Sequence, residues 1–186
     1  MGSNRDNMRR EALSQERHRA DREAITIQNV AASDAEAMAG IYTYFVTETI
    51  ITFEEECVSS SEMRRRIERV RSDALPWFVA EQSGEIAGYA YASKWKERSA
   101  YRFCVEVTVY VKPGLEGKGI GSKLFSRLLD DLRHRGVHVA IGVIALPNQA
   151  SIALHEKFGF RKAAHFKEVG FKFNQWIDVG DWQLIL

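Results

Sequence analysis

Glu106-Val107-Thr108-Val109-Tyr110-Val111 and, a few residues on, Glu116-Gly117-Lys118-Gly119-Ile120-Gly121-Ser122 are the two runs around which the chain is organised. Valines recur at 105, 107, 109 and 111, the period of a strand with one buried face, so Tyr101 to Val111 reads as β. Beyond the glycines the period changes. Ile120, Leu124, Leu128, Leu129 and Leu132 make one apolar stripe at helical spacing, and Gly136 stands where a helix C′ residue belongs. The unit is therefore strand, glycine turn, amphipathic helix. The first amides of a helix have no intrahelical acceptor and sit at the positive end of the macrodipole, which makes such a turn a seat for an anion. Gly117, Gly119 and Gly121 let a phosphate approach the backbone, and Lys118 adds a cation. The spacing is not that of a P-loop, and Ser122 occupies the third glycine position of a dinucleotide fingerprint. Taken alone, the pattern also suits a plain tight turn.

Outward from this unit the pattern stays mixed. Towards the C-terminus, Val137 to Ile144 reads as a strand, Asn148 as the cap of a short helix ended by Gly159, and two closing strands as 162–173 and 176–186, joined through Asn174-Gln175. Towards the N-terminus, Ile25-Thr26-Ile27 is a short strand, and Ser33 with Glu36 has the form of a capping box. It opens a helix carrying Ala37, Ile41, Tyr44 and Phe45. Ser59 to Ser61 precede a second helix with Met63, Ile67 and Val70 on one side; Arg64, Arg65, Arg66, Arg69 and Arg71 are expected on its solvated side. Trp77 to Ala80 and Ile86 to Tyr91 flank Gly84 as a hairpin. This order predicts an α/β domain over 25–186, a mixed sheet flanked by helices, behind a polar and flexible N-terminal extension at 1–24.

A formal net charge of +1 gives no electrostatic case for nucleic acid or a membrane surface as partner. No apolar run approaches the roughly 18 residues of a membrane span, and the first residues lack the apolar core of a secretory signal. Cys57 and Cys104 are far apart, which suggests neither a disulfide framework nor a zinc site and fits a cytoplasmic protein. His18, His134, His138 and His165 are scattered over the tail, a helix end, a strand start and a late strand, and no metal site is expected.

The strand at 106–111 followed by Gly117-Lys118-Gly119-Ile120-Gly121 resembles the acetyl-CoA-binding motif of the GNAT superfamily of N-acetyltransferases. The similarity continues through Ile144-Ala145-Leu146-Pro147-Asn148, Leu154 to Phe160, Val169-Gly170-Phe171-Lys172, Trp176 to Gly180 and Trp95 to Tyr101. Together these resemble the phosphinothricin and methionine sulfoximine acetyltransferase branch, over about Ile25 to Leu186. The resemblance implies the GNAT fold, a mixed and mostly antiparallel twisted sheet, with acetyl-CoA as cosubstrate. It also implies that amides of Gly117, Lys118, Gly119, Ile120, Gly121 and Ser122 hold the pyrophosphate. Val109, Tyr110 and Val111 would pair with the pantetheine arm like an added strand, and Asn148 would hydrogen-bond it. Glu116 departs from the superfamily pattern, where Gln or Arg is usual; an acid beside a pyrophosphate is unfavourable, so its carboxylate is expected to turn away.

Acetyl transfer to an amine requires a neutral nucleophile, stabilisation of the oxyanion and a proton for the thiolate. Glu106 is the candidate base: it sits mid-strand among Val, Cys and Thr, where partial burial would raise its pKa. The resemblance implies a bulge in this strand that frees the Val109 amide for the oxyanion. His155 stands where many relatives carry a tyrosine, and either donates a proton to the thiolate or only packs beside the cofactor. Phe53, Trp95, Lys96, Arg98 and Tyr101 are the expected amine-substrate wall, with Glu48 and Glu54 near Phe53, although Trp95 to Tyr101 also suits a charged hairpin tip. Cys104 reads as a packed strand residue. Exposed aromatics at Phe171, Phe173, Trp176 and Trp182, with the habit of the branch, imply a homodimer. The expected activity is acetylation of a small amino-acid-like amine of the phosphinothricin or methionine sulfoximine/sulfone type by direct attack. The alternatives are another amine (polyamine, aminoglycoside, protein N-terminus) and a non-catalytic acetyl-CoA sensor.

Overall fold

The computed structural model describes residues 24–186, so the extension expected over 1–24 lies, but for Ala24, outside the described residues. Seven strands form one sheet in the order β1-β2-β3-β4-β5-β7-β6. They are β1 (Thr26–Asn29), β2 (Trp77–Gln82), β3 (Glu85–Lys94), β4 (Cys104–Val111), β5 (Val139–Leu146), β6 (Arg161–Lys172) and β7 (Gln175–Ile185). Among the described residues four α-helices accompany them: α1 (Ala35–Glu48), α2 (Ser60–Ser72), α3 (Ile120–His134) and α4 (Gln149–Lys157). Only the β4–β5 contact is parallel, so the mixed, mostly antiparallel sheet expected from the sequence is the one observed. Among the described residues no helix is long and apolar enough to cross a membrane.

Helices cover both faces of the N-terminal half of the sheet. On one side the leucine stripe of α3 packs with Phe125 against Phe78, Ala90, Val105, Val107 and Ala140. On the other, Met38, Ile41 and Phe45 of α1 and Met63, Ile67 and Val70 of α2 cover Trp77, Val79 and Tyr89. Side chains such as Leu124 and Met38, fully withdrawn from water, contribute roughly 1.5–3 kcal/mol each through burial. The helix ends differ in how far they follow the sequence. Ser59 caps α2, its Oγ accepting the Glu62 N–H at 3.1 Å, an interaction worth about 1 kcal/mol. The capping box expected at Ser33 does not form. The chain instead enters α1 through a 3-10 turn at Ala32–Asp34, and it is the Asp34 carboxylate that accepts the Ala31 N–H at 2.8 Å. Nor are the α2 arginines all solvated: Arg66 is paired and Arg71 donates to the Val30 carbonyl. The final hairpin turns on Phe173 and Asn174, both with positive φ, so strands β6 and β7 end one residue away from the expected joint. Of its aromatics, Phe171, Phe173 and Trp176 are exposed, but Trp182 is buried and its indole N–H donates to Glu156.

Candidate active site

The site arises from an interruption in the sheet. β4 and β5 pair over Cys104–Val139, Val105–Ala140 and Glu106–Ile141 and then part. Past that point Val107 to Val111 remain bonded to β3 and Gly142 to Leu146 to β7, so the two halves of the sheet splay into a wedge. Strand edges facing such a gap present backbone donors and acceptors ready to pair with an extended ligand. The expected bulge in β4 is not there: its register with β3 runs without a shift from Lys94–Val105 to Gly88–Val111. Splaying, not a bulge, is what uncovers the amides of this strand.

Two connected spaces occupy the wedge. The larger, a groove of about 530 Å³, is lined by Val109, Tyr110 and Val111, by Gly117, Gly119, Ile120, Gly121 and Ser122, and by Asn148 and Lys157. Gly117 and Gly119 have φ of 74° and 81°, the left-handed region in which a side chain is strained. The first hydrogen bond of α3 runs from Lys123 N–H to the Gly119 carbonyl. The amides of Ile120, Gly121 and Ser122 consequently lack helical acceptors where they meet the groove. This is a cradle suited to a diphosphate. Lys118 is exposed and does not line the groove. A cation does reach the seat, but from another element: Lys157 at the end of α4 donates to Ser122 Oγ at 3.0 Å. Glu116 turns back on its own turn, its carboxylate accepting the Gly114 N–H at 2.8 Å, which settles how an acid is tolerated there. Asn148 caps α4, Oδ1 accepting the Ser151 N–H at 3.1 Å, and its amide NH₂ is the group left to donate across the groove.

The smaller cavity, about 260 Å³, lies where the strands separate. It brings together Glu106, Thr108 and Val109 of β4, Tyr91 of β3, Tyr42 of α1, Thr52 and Phe53 from the following loop, and Asn148, Ser151 and His155. Glu106 is half-buried, and no hydrogen bond to its carboxylate forms among the described residues. Burial, and then the charge of Asp181 on β7, raise its pKa above the ordinary carboxylate value. Asp181 is itself raised by burial and lowered by Lys96, so the three charges form a chain, Glu106 to Asp181 to Lys96. Burial also pushes the Tyr91 phenol up to about 12. His155 is buried, held edge-on by Phe125 and Phe160 with centroids 4.9 and 5.1 Å away. Its Nδ1–H donates to the Ser151 carbonyl at 2.8 Å, and Nε2 has no hydrogen-bond partner among the described residues. Burial lowers its pKa. The ring is therefore neutral with an unprotonated Nε2, which has no proton to give in the resting state.

Phe53 joins this cavity, whereas Trp95, Lys96, Arg98 and Tyr101 do not line it. Outside it, Lys96 Nζ stands 5.6 Å from the centre of the Trp95 ring and 5.9 Å from that of Tyr101. Glu54 turns away into a bidentate pair with Arg66 at 2.7 and 3.1 Å. Tyr42, Thr52, Tyr91 and Asp181 were not anticipated. Tyr42 and Tyr91 look like ordinary core aromatics in sequence, and Asp181 gains its meaning only from a neighbour on a distant strand. Among the described residues no group of three or more His, Cys, Asp and Glu side chains gathers in a metal-binding arrangement.

Residues 38–160 match the family model described as Acetyltransferase (GNAT) family. Phosphinothricin N-acetyltransferase of Streptomyces viridochromogenes is 36% identical over 163 residues, 88% of each chain. L-methionine sulfoximine/L-methionine sulfone acetyltransferase of Salmonella typhimurium is 36% identical over 87% of this chain and 95% of that one. A Salmonella typhimurium acetyltransferase solved with its cofactor acetyl-CoA superposes with a TM-score of 0.85, covering 88% of this chain and 94% of that one at 36% identity.

Proposed function

The chain belongs to the GNAT acetyltransferase family, in its phosphinothricin and methionine sulfoximine/sulfone branch, and from that premise we propose that its amine substrate is a small amino acid of those types, deprotonated by Glu106. It is an acetyl-CoA-dependent N-acetyltransferase. The observation that carries the assignment of the base is the position of Glu106. It is a half-buried carboxylate with a raised pKa, in the cavity wall at the point where β4 and β5 part.

Acetyl-CoA, when bound, supplies the thioester carbonyl; the Gly117–Ser122 turn, the β4 edge and Asn148 are the groups that would hold it. The incoming amine arrives as an ammonium ion at neutral pH. Glu106 attracts it as a carboxylate and takes its proton, and its raised pKa brings base and amine closer to a balanced transfer. A positioned base of this kind contributes roughly 10²–10⁴ in rate. The β4 amides uncovered by the splay, Val109 foremost, are the donors available to charge developing on the acetyl oxygen. His155, neutral and packed between two phenylalanines, shapes the cavity in this account, and the departing thiolate takes its proton from solvent. Lys96 and Arg98 lie outside the cavity, and in this reading they are the cations that meet the carboxylate or acidic group of an amino acid.

Three wider proposals follow the same reading. Residues 25–186 make up the catalytic domain. The exposed Phe171, Phe173 and Trp176, at 50, 52 and 63% of their surface, form the contact of a homodimer; light scattering at micromolar concentration is expected to give twice the 21.2 kDa chain mass, and a clean monomer rejects it. A cytoplasmic setting suits the free thiols of Cys57 and Cys104. The substrate assignment is tested by thiol release from acetyl-CoA against phosphinothricin, methionine sulfoximine, methionine sulfone, a polyamine and an aminoglycoside. Turnover confined to the amino acids is expected; turnover only with the polyamine or the aminoglycoside overturns it.

A further inference from the structure

Lys172 ends β6, the strand at the far edge of the C-terminal half of the sheet, yet only 2% of it is exposed. Its Nζ donates to the Thr52 carbonyl at 2.8 Å and to the Phe45 carbonyl at 3.5 Å, and lies 5.0 Å from the centre of the Phe173 ring. Both carbonyls belong to the opposite half. Phe45 is in the last turn of α1, which packs over β3 and β4, and Thr52 is in the loop that follows. Two residues before Lys172, Gly170 lies so close beneath the Phe53 ring that a Cβ there would overlap it. The loop after α1 thus crosses the wedge and is fastened to β6. Elsewhere the halves are joined by the three β4–β5 pairs at the closed end of the wedge, by the apolar core under α3, which takes in Ala140, Ile144 and Trp182, and by Lys157 on Ser122.

We propose that Lys172 is a positioning residue for catalysis, a clip that fastens the Ile51–Phe53 loop across the open end of the wedge and so sets the shape of the amine cavity. The loop supplies Ile51, Thr52 and Phe53 to that cavity, beside Tyr42. Its near side is held by a separate network: Tyr42 OH shares a 2.7 Å hydrogen bond with Thr52 Oγ1 and donates to Glu54 at 3.1 Å, and Arg66 grips the same carboxylate. Lys172 alone among these groups reaches from the other half. An ammonium withdrawn from water is costly, and an apolar side chain of similar volume often serves folding as well or better. What the apolar side chain lacks is two directed donors to carbonyls that burial would otherwise leave under-satisfied. The charge therefore specifies where the loop sits more than whether the domain folds. Burial lowers the pKa of Lys172, and the charges of Glu55 and then Glu54 oppose that shift.

The inference rests on the acetyltransferase reading for its kinetic arm and not for its structural one. Lys172→Met in the full chain is expected to fold, with a melting temperature near that of the parent. Amide hydrogen exchange over residues 51–54 is expected to quicken at least about tenfold, the loss of a charged hydrogen bond. With the amine found by thiol release, KM for that amine is expected to rise by about tenfold or more, while the acetyl-CoA dissociation constant stays within about twofold, because the diphosphate seat lies on α3. Lys172→Arg, which keeps the donors, is expected to recover part of both losses. Unchanged exchange in a folded Lys172→Met overturns the clip whichever amine is turned over. Quickened exchange with an unchanged amine KM overturns its catalytic role. A Lys172→Met chain that fails to fold also overturns the proposal, since the charge would then be a requirement of folding.

Discussion

Glu106 of β4 and Ile141 of β5 are the last residues paired between these strands before the sheet opens. The carboxylate is thereby lodged at the apex of the wedge, shielded by strands on both sides and open to the cavity ahead. One backbone event, the parting of two parallel strands, uncovers the alternate β4 amides that face the gap, Val109 foremost, and presents the base beside them.

The pKa of Glu106 is raised by burial and then by Asp181. Proton removal requires the carboxylate, so kcat/KM is expected to fall on the acid side with an apparent pKa above the ordinary carboxylate range. Asp181→Asn removes the like charge and moves that limb to lower pH. A pH–rate profile of the two proteins checks the direction; a limb that stays put removes Asp181 from the electrostatics of the base.

The same shift bears on stability. A carboxyl whose folded pKa exceeds its unfolded value stabilises the fold below the unfolded pKa, and that contribution disappears as pH rises through the folded pKa. At neutral pH the Glu106 carboxylate is thus a cost to the fold, and Glu106→Gln is expected to melt no lower than the parent at pH 7. Thermal unfolding at pH 4 and pH 7 tests this.

Gly142 and His155 are locked together. A Cβ at 142 would collide with the imidazole ring, so Gly142→Ala is expected to lose about 1–3 kcal/mol by overpacking. His155→Ala in the same chain should restore part of that loss. Because the imidazole is neutral and Nδ1–H is engaged by Ser151, His155→Ala alone should leave the basic limb of the pH–rate profile unmoved while lowering the melting temperature. Loss of that limb would make the histidine a proton donor after all.

Nothing lies within 4 Å of a Cβ built on Gly119, but its φ of 81° is strained for any L side chain. Gly119→Ala is therefore expected to weaken acetyl-CoA binding through the backbone, without steric conflict, by about tenfold for a strain of 1–2 kcal/mol. Calorimetry with acetyl-CoA measures this, and amine specificity should not change.

What the sequence discloses about this site follows from range. The valine alternation of β4, the glycines at 117 and 119, the leucine stripe of α3 and the Asn148 cap are local patterns, and each lies where its spacing places it. The mixed sheet follows from their order. Ser33 misled because the chain turns two residues earlier: Ala31 opens a 3-10 turn, its N–H held by the Asp34 carboxylate, and Ser33 falls inside that turn. Trp182 seemed surface because its hairpin is aromatic throughout, whereas β5 and Glu156 cover it. Trp95, Lys96, Arg98 and Tyr101 do not line the cavity, and nothing local says how far a hairpin end stands from a wedge. Thr52, Asp181 and Lys172 gain their roles from partners many residues away, and such pairings leave no trace in spacing.

The account depends most on Glu106, and Glu106→Gln with two readings on one protein tests it directly. Steady-state turnover of the amine is expected to drop by roughly 10²–10⁴, while calorimetry returns the acetyl-CoA affinity of the parent. Turnover within about twofold of the parent, with the cofactor still bound, would contradict the role of this carboxylate as the base.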